Sequence, residues 1–317
     1  MFTKITNQLY YGLNGDNEKS ILKIIKDAKV LLVLDYLYTN RTINNVSLYT
    51  LDDMAYYYGY VPRSGCNKKT NDLYINQQFQ NILLELDKLG IIKLIVNDKN
   101  NKKYKLINRC EILIDLGSKY FTLEEQVKNK ILQYKPNGKK VDNTKLLLFY
   151  CYILSKIYIR ADNYKDINMG GKTEVCYPSY KIIKSNINIS ENSVNKYNKI
   201  LIDLDLIRIA NAGRFYYRDD KEKQIHESAN TYTLYRKDEK HNTHLKRAIQ
   251  SYKLDSSRIF IDKERCDKKA RQDNGFIGNI DKLEKLGKAK PEFIEKRDRL
   301  VQEREEKKRK KKIVDSS

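Results

Sequence analysis

Two short motifs in this sequence are of the kind that can bind a nucleotide or a metal ion. Residues 169–173 (MGGKT) resemble the end of a phosphate-binding P-loop, but that loop needs glycine at Asp166 and a helix directly afterwards. The strand-like run 174–176 follows instead. His241 and His244 lack cysteine or carboxylate partners at metal-ligand spacing, and we interpret them as surface histidines. We therefore predict no catalytic residue, no cofactor and no metal site.

Enzymes that nick DNA provide a second test of the same conclusion. Rolling-circle initiators and relaxases use a His-x-His metal pair with a nucleophilic tyrosine. Tyrosine is abundant here, with 25 residues, but the His-x-His pair is absent. A metal-dependent nickase with dispersed carboxylates leaves no motif in a sequence, so that activity stays an alternative.

The charge balance points to a polyanionic partner. The chain has 62 lysines and arginines against 41 acidic residues, a formal net charge of +21. Such a field attracts DNA, RNA or an anionic membrane face. No apolar stretch is long enough to span a bilayer, and the polar segment 1–20 lacks the apolar region of a signal peptide. We expect a cytoplasmic protein without a membrane partner.

One predicted helix combines a buried stripe with side chains that can contact bases. After the N-cap Ser190, the residues Val194, Tyr197, Leu201 and Leu204 recur at helical spacing. The other faces carry asparagine, which pairs bidentately with adenine, and lysine, which reaches guanine or phosphate. The residues predicted to contact DNA in this half of the chain are Lys181, Lys184, Ser190, Asn192, Ser193, Asn195, Lys196, Lys199, Arg208, Arg214 and Arg218. Phe215, Tyr216 and Tyr217 are added as stacking or packing faces.

The first half of the chain offers a comparable but weaker set. Polar residues lie on a helix, in the loop before it and at a hairpin tip. The predicted DNA contacts are Arg63, Lys68, Lys69, Asn76, Gln77, Gln80, Lys102 and Lys103.

These residues must be positioned by helices and hairpins, and the pattern predicts the same order twice. In the first half, the three helices and two strands span about 21–38, 51–58, 73–89, 91–96 and 104–107. In the second half, they span about 145–159, a short helix with Ile182 and Ile183, 190–203, 208–217 and 231–235. Segment 89–92 aligns with 204–207, and 104–106 with 232–234, which indicates an internal duplication of low identity.

Three segments lie outside the two halves. A polar arm precedes them, a linker with a short helix capped at Thr122 separates them, and a basic tail follows. The tail ends in Lys307, Lys308, Arg309, Lys310, Lys311 and Lys312, which we interpret as a non-specific phosphate-binding segment. The predicted boundaries are 1–20, 21–116, 117–143, 144–236 and 237–317.

The second half resembles a known class of bacterial proteins. Segments 177–180, 190–194, 201–207 and 230–234 look like winged helix-turn-helix proteins of plasmids and phages, of the replication-initiator-like or DnaD-like kind. The resemblance covers 145–235 well and 21–107 more loosely. Where that class has glycine after the recognition helix, this chain has Asp205, which tolerates the left-handed conformation.

The resemblance implies a mainly α fold with small β wings (α+β), built from two tandem winged helix-turn-helix domains. The charge pattern of the last segment adds a charged helical C-terminal tail. It implies sequence-specific double-stranded DNA binding by a replication initiator of a plasmid, phage or other mobile element. Host replication proteins and a second copy of the chain are further partners that it allows. The alternatives are a transcriptional regulator, a protein-docking module, the nickase, and a single-strand or RNA binder that uses its tyrosines.

Overall fold

The computed structural model describes residues 2–11, 20–95, 108–113, 120–136, 141–157, 173–220, 224–261 and 268–314. Within these ranges, side chains are described outside 268–274 and 303–314. The fold is mixed α+β, about half helical, with small antiparallel sheets of two or three strands. None of the helices in the described part of the chain has the length and apolarity needed to cross a membrane.

Two compact units divide the chain. The first comprises Met1–Ala212 and Ala229–Leu254, and the second comprises Gly213–Ser228 and Asp255–Ser317. The elements up to residue 132 are β1 (Phe2–Thr6), α1 (Ile21–Ile25), α2 (Val30–Thr39), β2 (Val46–Tyr49), α3 (Leu51–Tyr57), α4 (Ile75–Lys88), β3 (Ile92–Ile95), β4 (Asn108–Ile112), β5 (Tyr120–Glu124) and α5 (Glu125–Leu132). Those that follow are α6 (Asn143–Lys156), α7 (Tyr180–Ile187), α8 (Glu191–Asp203), β6 (Ile207–Asn211), β7 (Arg214–Tyr217), β8 (His226–Glu227), β9 (Asn230–Leu234), α9 (Lys240–Lys253), β10 (Arg258–Ile261), α10 (Lys268–Lys285) and α11 (Pro291–Val314).

The predicted helix boundaries are confirmed where a side chain caps the helix. Thr50 accepts a hydrogen bond from the Asp53 amide at 2.9 Å and begins α3. Ser190 begins α8 in the same way. The opening helix predicted for 21–38 is wrong, because Lys26 is left-handed (φ 57°) and ends α1. Asp27 then accepts the Lys29 amide, and α2 begins separately.

The first half contains a three-stranded sheet, formed by β2, which precedes α3, and by β3 and β4, which follow α4. Its strand order is β2-β4-β3, all antiparallel, with Cys110 paired to Ser47 on one side and Leu94 on the other. The return strand is therefore Asn108–Ile112. The prediction of this strand at 104–107 falls on residues outside the described ranges.

The second half repeats this arrangement. Strands β6 and β9 pair with Ile209 opposite Tyr232, and an isolated bridge joins Tyr232 to Cys176, just before α7. The order across the sheet is the same as in the first half. The segment before the two helices, at Cys176, pairs with the second strand of the hairpin, β9, and β9 pairs with the first strand, β6. By register, Tyr232 corresponds to Cys110, so its predicted alignment with Tyr104 is wrong.

The ends of α4 and α8 are built identically. Gly90 (φ 68°) and Asp205 (φ 52°) both adopt the left-handed conformation, as predicted for Asp205. The Ile91 amide donates to the Leu86 carbonyl at 3.0 Å, and the Leu206 amide donates to the Leu201 carbonyl at 2.9 Å. Each of these bonds runs from an amide to the carbonyl five residues earlier, which is the long hydrogen bond of a Schellman motif.

The segments interpreted as an arm and a linker belong to the core of the first unit. Strand β1 pairs antiparallel with β5. Ile5 is fully buried, and the Tyr10 hydroxyl donates to the Leu148 carbonyl of α6 at 3.0 Å. Glu124, not the predicted Thr122, is the N-cap of α5 and makes no side-chain cap bond. One hydrophobic core therefore runs through both halves.

A buried ion pair fixes α5 against α2. Lys128 Nζ lies 2.7 Å from Asp35 Oδ2, and the two side chains are 3% and 1% exposed. The Tyr58 hydroxyl lies 2.7 Å from the same oxygen and from the Leu32 carbonyl. Burial by itself lowers the pKa of Lys128, but the Asp35 carboxylate outweighs it and the pKa is raised. Lys128 therefore stays charged in the core.

Buried tyrosines make the fold sensitive to alkaline pH. Burial raises the pKa of Tyr152 and of Tyr232 to about 12, above the ordinary value of 10.0. Their stabilising contribution is complete below pH 10 and is lost as the pH rises towards 12, because the unfolded chain ionises first. We expect the free energy of unfolding to fall by up to about 1.4 kcal/mol per pH unit for each such tyrosine. Thermal melts between pH 8 and 11 measure this.

The matched pair for this test is Tyr152→Phe and Tyr56→Phe. Tyr152→Phe removes one ionising group, so the free energy of unfolding should fall less steeply above pH 10, by the contribution of one proton. Tyr56→Phe alters an exposed side chain and should leave this slope unchanged. An alkaline slope that is the same in both variants would contradict the expectation.

The second unit contains a small sheet and a helical pair. The sheet order is β10-β7-β8, and Phe215 of β7 is 3% exposed against Phe260. The continuous strand predicted for 208–217 is thus divided at Gly213 (φ 103°), where the chain passes from β6 into the second unit. Arg297 of α11 forms an ion pair with Asp281 of α10 at 2.7 Å.

Candidate nucleic-acid interface

Helices α7 and α8 are joined by a turn of three residues. Ser179 accepts the Ile182 amide and begins α7. Asn188 is left-handed (φ 51°) and ends it, and Ser190 begins α8 two residues later. Short polar caps thus fix the direction of both helices without a long loop.

Helix α8 has the two-sided character that the sequence predicts. Val194, Tyr197 and Leu201 are 0%, 5% and 0% exposed and pack into the core, while Leu204 is half-buried. The exposed residues of the predicted set are Lys181, Lys184, Ser190, Asn192, Asn195 and Lys199. Ser193 and Lys196 are half-buried, and the Ser193 hydroxyl contacts that of Ser190 at 3.0 Å.

Asn195 is held by a chain of hydrogen bonds that reaches the hairpin. The Asn211 amide donates to Asn230 Oδ1 at 3.2 Å, and the Asn230 amide donates to the Tyr180 hydroxyl at 3.2 Å. That hydroxyl donates to Asn195 Oδ1 at 2.7 Å. Each side chain in this series donates one hydrogen bond to the next, so the side-chain amide of Asn195 is held in one orientation.

Sequence reasoning missed the role of Tyr180. The side chains of Tyr180 and Asn195 lie 15 positions apart, across the turn between two helices, and no periodicity connects them. The usable signal was that Tyr180 directly follows the N-cap Ser179, so its place at the start of α7 was already set.

The three arginines predicted for the hairpin belong to different units of the fold. The Arg208 side chain is held by contacts with nearby residues. It lies 2.6 Å from Asp205, donates to the Ile207 carbonyl and lies over the Tyr235 ring at 4.3 Å. Its hydrogen bond lowers the pKa of the Asp205 carboxyl. Arg214 and Arg218 belong to the second unit.

The aromatic residues beside them differ in exposure. Phe215 is buried, so of its two predicted roles, stacking or packing, its burial supports packing. Tyr216 is half-buried, and Tyr217 is 38% exposed.

The helix predicted to read DNA in the first half, α4, presents fewer of its predicted side chains. Asn76 is 1% exposed and donates to Asp52 Oδ1 at 2.6 Å, so it is a core residue and no longer a candidate contact. Gln77 donates to Asn81 at 3.0 Å. Gln80 is half-buried and lines a small apolar cleft with Leu84 and Leu94.

The loop before α4 keeps its basic residues at the surface. Lys68 and Lys69 are exposed in a turn closed by the Asn67 amide, which donates to the Asp72 carbonyl at 2.8 Å. Arg63 is exposed beside the Tyr74 ring, 5.9 Å away.

The two helix pairs carry opposite charge. Helix α3 has two aspartates and no basic residue, and α4 has two acidic residues and one lysine. Helix α7 has two lysines and no acidic residue, and α8 has two lysines and two acidic residues. A polyanion would therefore meet attraction at α7–α8 and repulsion at α3–α4.

Several predicted site residues cannot be placed by their side chains. Lys102 and Lys103 lie outside the described residues, as do 169–172 of the P-loop-like motif. Lys307, Lys308, Arg309, Lys310, Lys311 and Lys312 lie in the helical backbone of α11, and their side chains are not described.

The interpretation of His241 and His244 as surface residues is wrong. They are 4% and 3% exposed, on the inner face of α9. His244 Nδ1 accepts the Glu174 amide at 3.0 Å, and His241 Nδ1 lies 3.0 Å from the Arg236 carbonyl. Within the described ranges, no group of three or more histidine, cysteine or acidic residues could hold a metal ion.

Comparison with known proteins gives no family assignment. No protein-family model matches the chain, and no curated protein matches its sequence. The geometry of α7, α8 and their hairpin is therefore the basis for assigning a function.

Proposed function

We propose that the chain binds double-stranded DNA sequence-specifically through two winged helix-turn-helix modules, and that the second module makes the base contacts. The observation that supports this most directly is the repeated order of helix, sheet segment, helix, helix and hairpin, with the same sheet order and the same Schellman hydrogen bonds in both halves. In a winged helix, the last helix of this series enters the major groove and the hairpin contacts the backbone.

Charge supports an unequal division of labour between the modules. The lysines of α7 and α8 and the exposed Asn192 and Asn195 form a polar, basic surface. Acidic residues dominate α3 and α4, so we assign the first module a supporting role, with Lys68 and Lys69 as its phosphate contacts. Phosphate contacts then supply affinity, and α8 supplies sequence choice.

For the biological role, we propose replication initiation or origin binding on a plasmid, phage or other mobile element. The support is the winged-helix resemblance of segments 177–180, 190–194, 201–207 and 230–234. A transcriptional regulator would use the same surface, and footprinting on the protein's own locus separates the two. A repeat array at the bound site favours initiation, and a promoter favours regulation.

Duplex binding should be strongly salt-dependent. If each of six lysines neutralises one phosphate, log affinity should fall against log salt with a slope of about −5.4, from roughly −0.9 per contact. These lysines are Lys68, Lys69, Lys181, Lys184, Lys196 and Lys199. Fluorescence anisotropy with a random 30-bp duplex and its single strands, from 50 to 400 mM salt, measures this.

Three results would overturn the proposal. No binding to any duplex at moderate salt would remove DNA as the partner. Single strands outcompeting duplex would favour base stacking on tyrosines. Persistent nicking of supercoiled plasmid with Mg²⁺ or Mn²⁺ would establish an enzyme.

A further inference from the structure

A basic cleft lies within the first unit, between α1, α6 and α7. Its volume is about 300 Å³, at the lower limit of small-molecule pockets. Lys23 and Lys26 line it from the α1 side, Lys145 from α6 and Lys184 from α7. Four cations thus surround a space too small for a large organic ligand.

The positive charge of the cleft is not neutralised by the described residues. No acidic side chain lines it, and within the described ranges Lys23, Lys26 and Lys184 form no ion pair. Lys145 lies 3.8 Å from Asp142, both partly exposed, which is a weak interaction. Lysines that repel each other around a cavity favour a multiply charged anion.

The walls of the cleft suit a phosphate group. Ser185, Asn186 and Asn188 add polar groups to the lining, and the apolar residues Leu22, Ala28, Leu148 and Ile187 complete it. Ammonium and polar side chains are the partners that phosphate oxygens use in protein–DNA interfaces. No aromatic side chain among the lining residues would stack on a base.

Lys184 belongs to the cleft and to the exposed surface of α7. In a helix-turn-helix, the helix before the recognition helix crosses the DNA backbone. We propose that the cleft binds phosphate groups of the strand that passes α7, which extends the interface beyond the helix pair. This inference rests on the proposed DNA-binding function.

The test is the double variant Lys23→Gln/Lys26→Gln, which removes two cleft cations and leaves α7 and α8 intact. The matched control is Lys135→Gln/Lys237→Gln, because both of these lysines are exposed in the same unit outside the cleft. Each lost contact should reduce the salt slope of duplex binding by about 0.9. We expect a reduction of up to about 1.8 in the cleft variant, none in the control, and an unchanged sequence preference in both.

A second experiment distinguishes binding of DNA backbone phosphate from binding of free phosphate. Calorimetric titration with inorganic tripolyphosphate should give binding to the wild type and weaker binding to the cleft variant. If tripolyphosphate binding is lost but the duplex slope is unchanged, the cleft takes phosphate from a free ligand and the backbone inference is overturned.

The two proposals fail in different ways. In the first case, the cleft variant keeps both the wild-type salt slope of duplex binding and the wild-type affinity for tripolyphosphate. That result overturns the proposal that the cleft binds phosphate and leaves the DNA-binding function intact. A wild type that binds no duplex removes the DNA function and the backbone contact together, and the tripolyphosphate titration then decides whether the cleft binds anions.

Discussion

Replacement of Lys128 with methionine should lower the free energy of unfolding by about 3–5 kcal/mol, because it leaves the carboxylate of Asp35 buried without a counter-charge. The other oxygen of that carboxylate, Oδ1, has no hydrogen-bond partner among the described residues, so no protein donor there offsets the loss. Chemical denaturation followed by the helical circular dichroism signal measures the change.

The matched control is Lys88→Met. Lys88 and Glu85 are also 2.7 Å apart, but their side chains are 69% and 42% exposed. An exposed pair of this kind contributes about 0–1 kcal/mol. If the two variants lose similar stability, burial of the Lys128–Asp35 pair has no energetic consequence.

The double variant Asp35→Leu/Lys128→Met tests the cause. Removing both charges avoids an unpaired ion, and such replacements are often neutral or stabilising. Tyr58 keeps an acceptor because its hydroxyl already lies 2.7 Å from the Leu32 carbonyl. We therefore expect the double variant to recover most of the lost stability, whereas a simple volume defect would give additive losses.

This pair also marks what the sequence could not predict. A lysine in a polar segment is expected at the surface, and nothing local indicates that Lys128 faces Asp35, 93 positions away. The pairing of β1 with β5 joins segments more than 110 positions apart, and neither has a turn signal leading to the other. The segments interpreted as an arm and a linker carry no local sign of these contacts, because their partners are distant in the sequence.

Local signals predicted some helix ends but not all, since Thr122 does not cap α5 and Lys26 divides the helix predicted for 21–38. Thr50, Ser179 and Ser190 cap helices because a side-chain oxygen satisfies an amide within three residues, which a sequence shows directly. The left-handed conformation of Asp205 follows from the same kind of local chemistry. The buried residues Val194, Tyr197 and Leu201 of α8 were therefore predictable, while Ser193 and Lys196 are less exposed than predicted. The burial of Asn76 was not predictable, because its partner Asp52 lies on another helix.

For the candidate interface, Asn195→Ala should weaken binding to a duplex selected from a random pool by about 1–3 kcal/mol and reduce its preference over random duplex. Tyr180→Phe should produce a smaller loss of the same kind. It removes the hydroxyl that donates to Asn195 Oδ1 at 2.7 Å, so the amide is no longer held in one orientation for an adenine. Affinity for random duplex should change little in either variant, because phosphate contacts remain.

The double-mutant cycle distinguishes positioning from general stability. If Tyr180 acts through Asn195, Tyr180→Phe should have no further effect on sequence preference once Asn195 is alanine. The matched control is Tyr177→Phe, since Tyr177 is 56% exposed just before α7. If Tyr180→Phe lowers sequence preference equally in both backgrounds, the hydrogen bonds that link the hairpin to Asn195 have only a structural role. An unchanged preference in Asn195→Ala would show that α8 does not select the sequence.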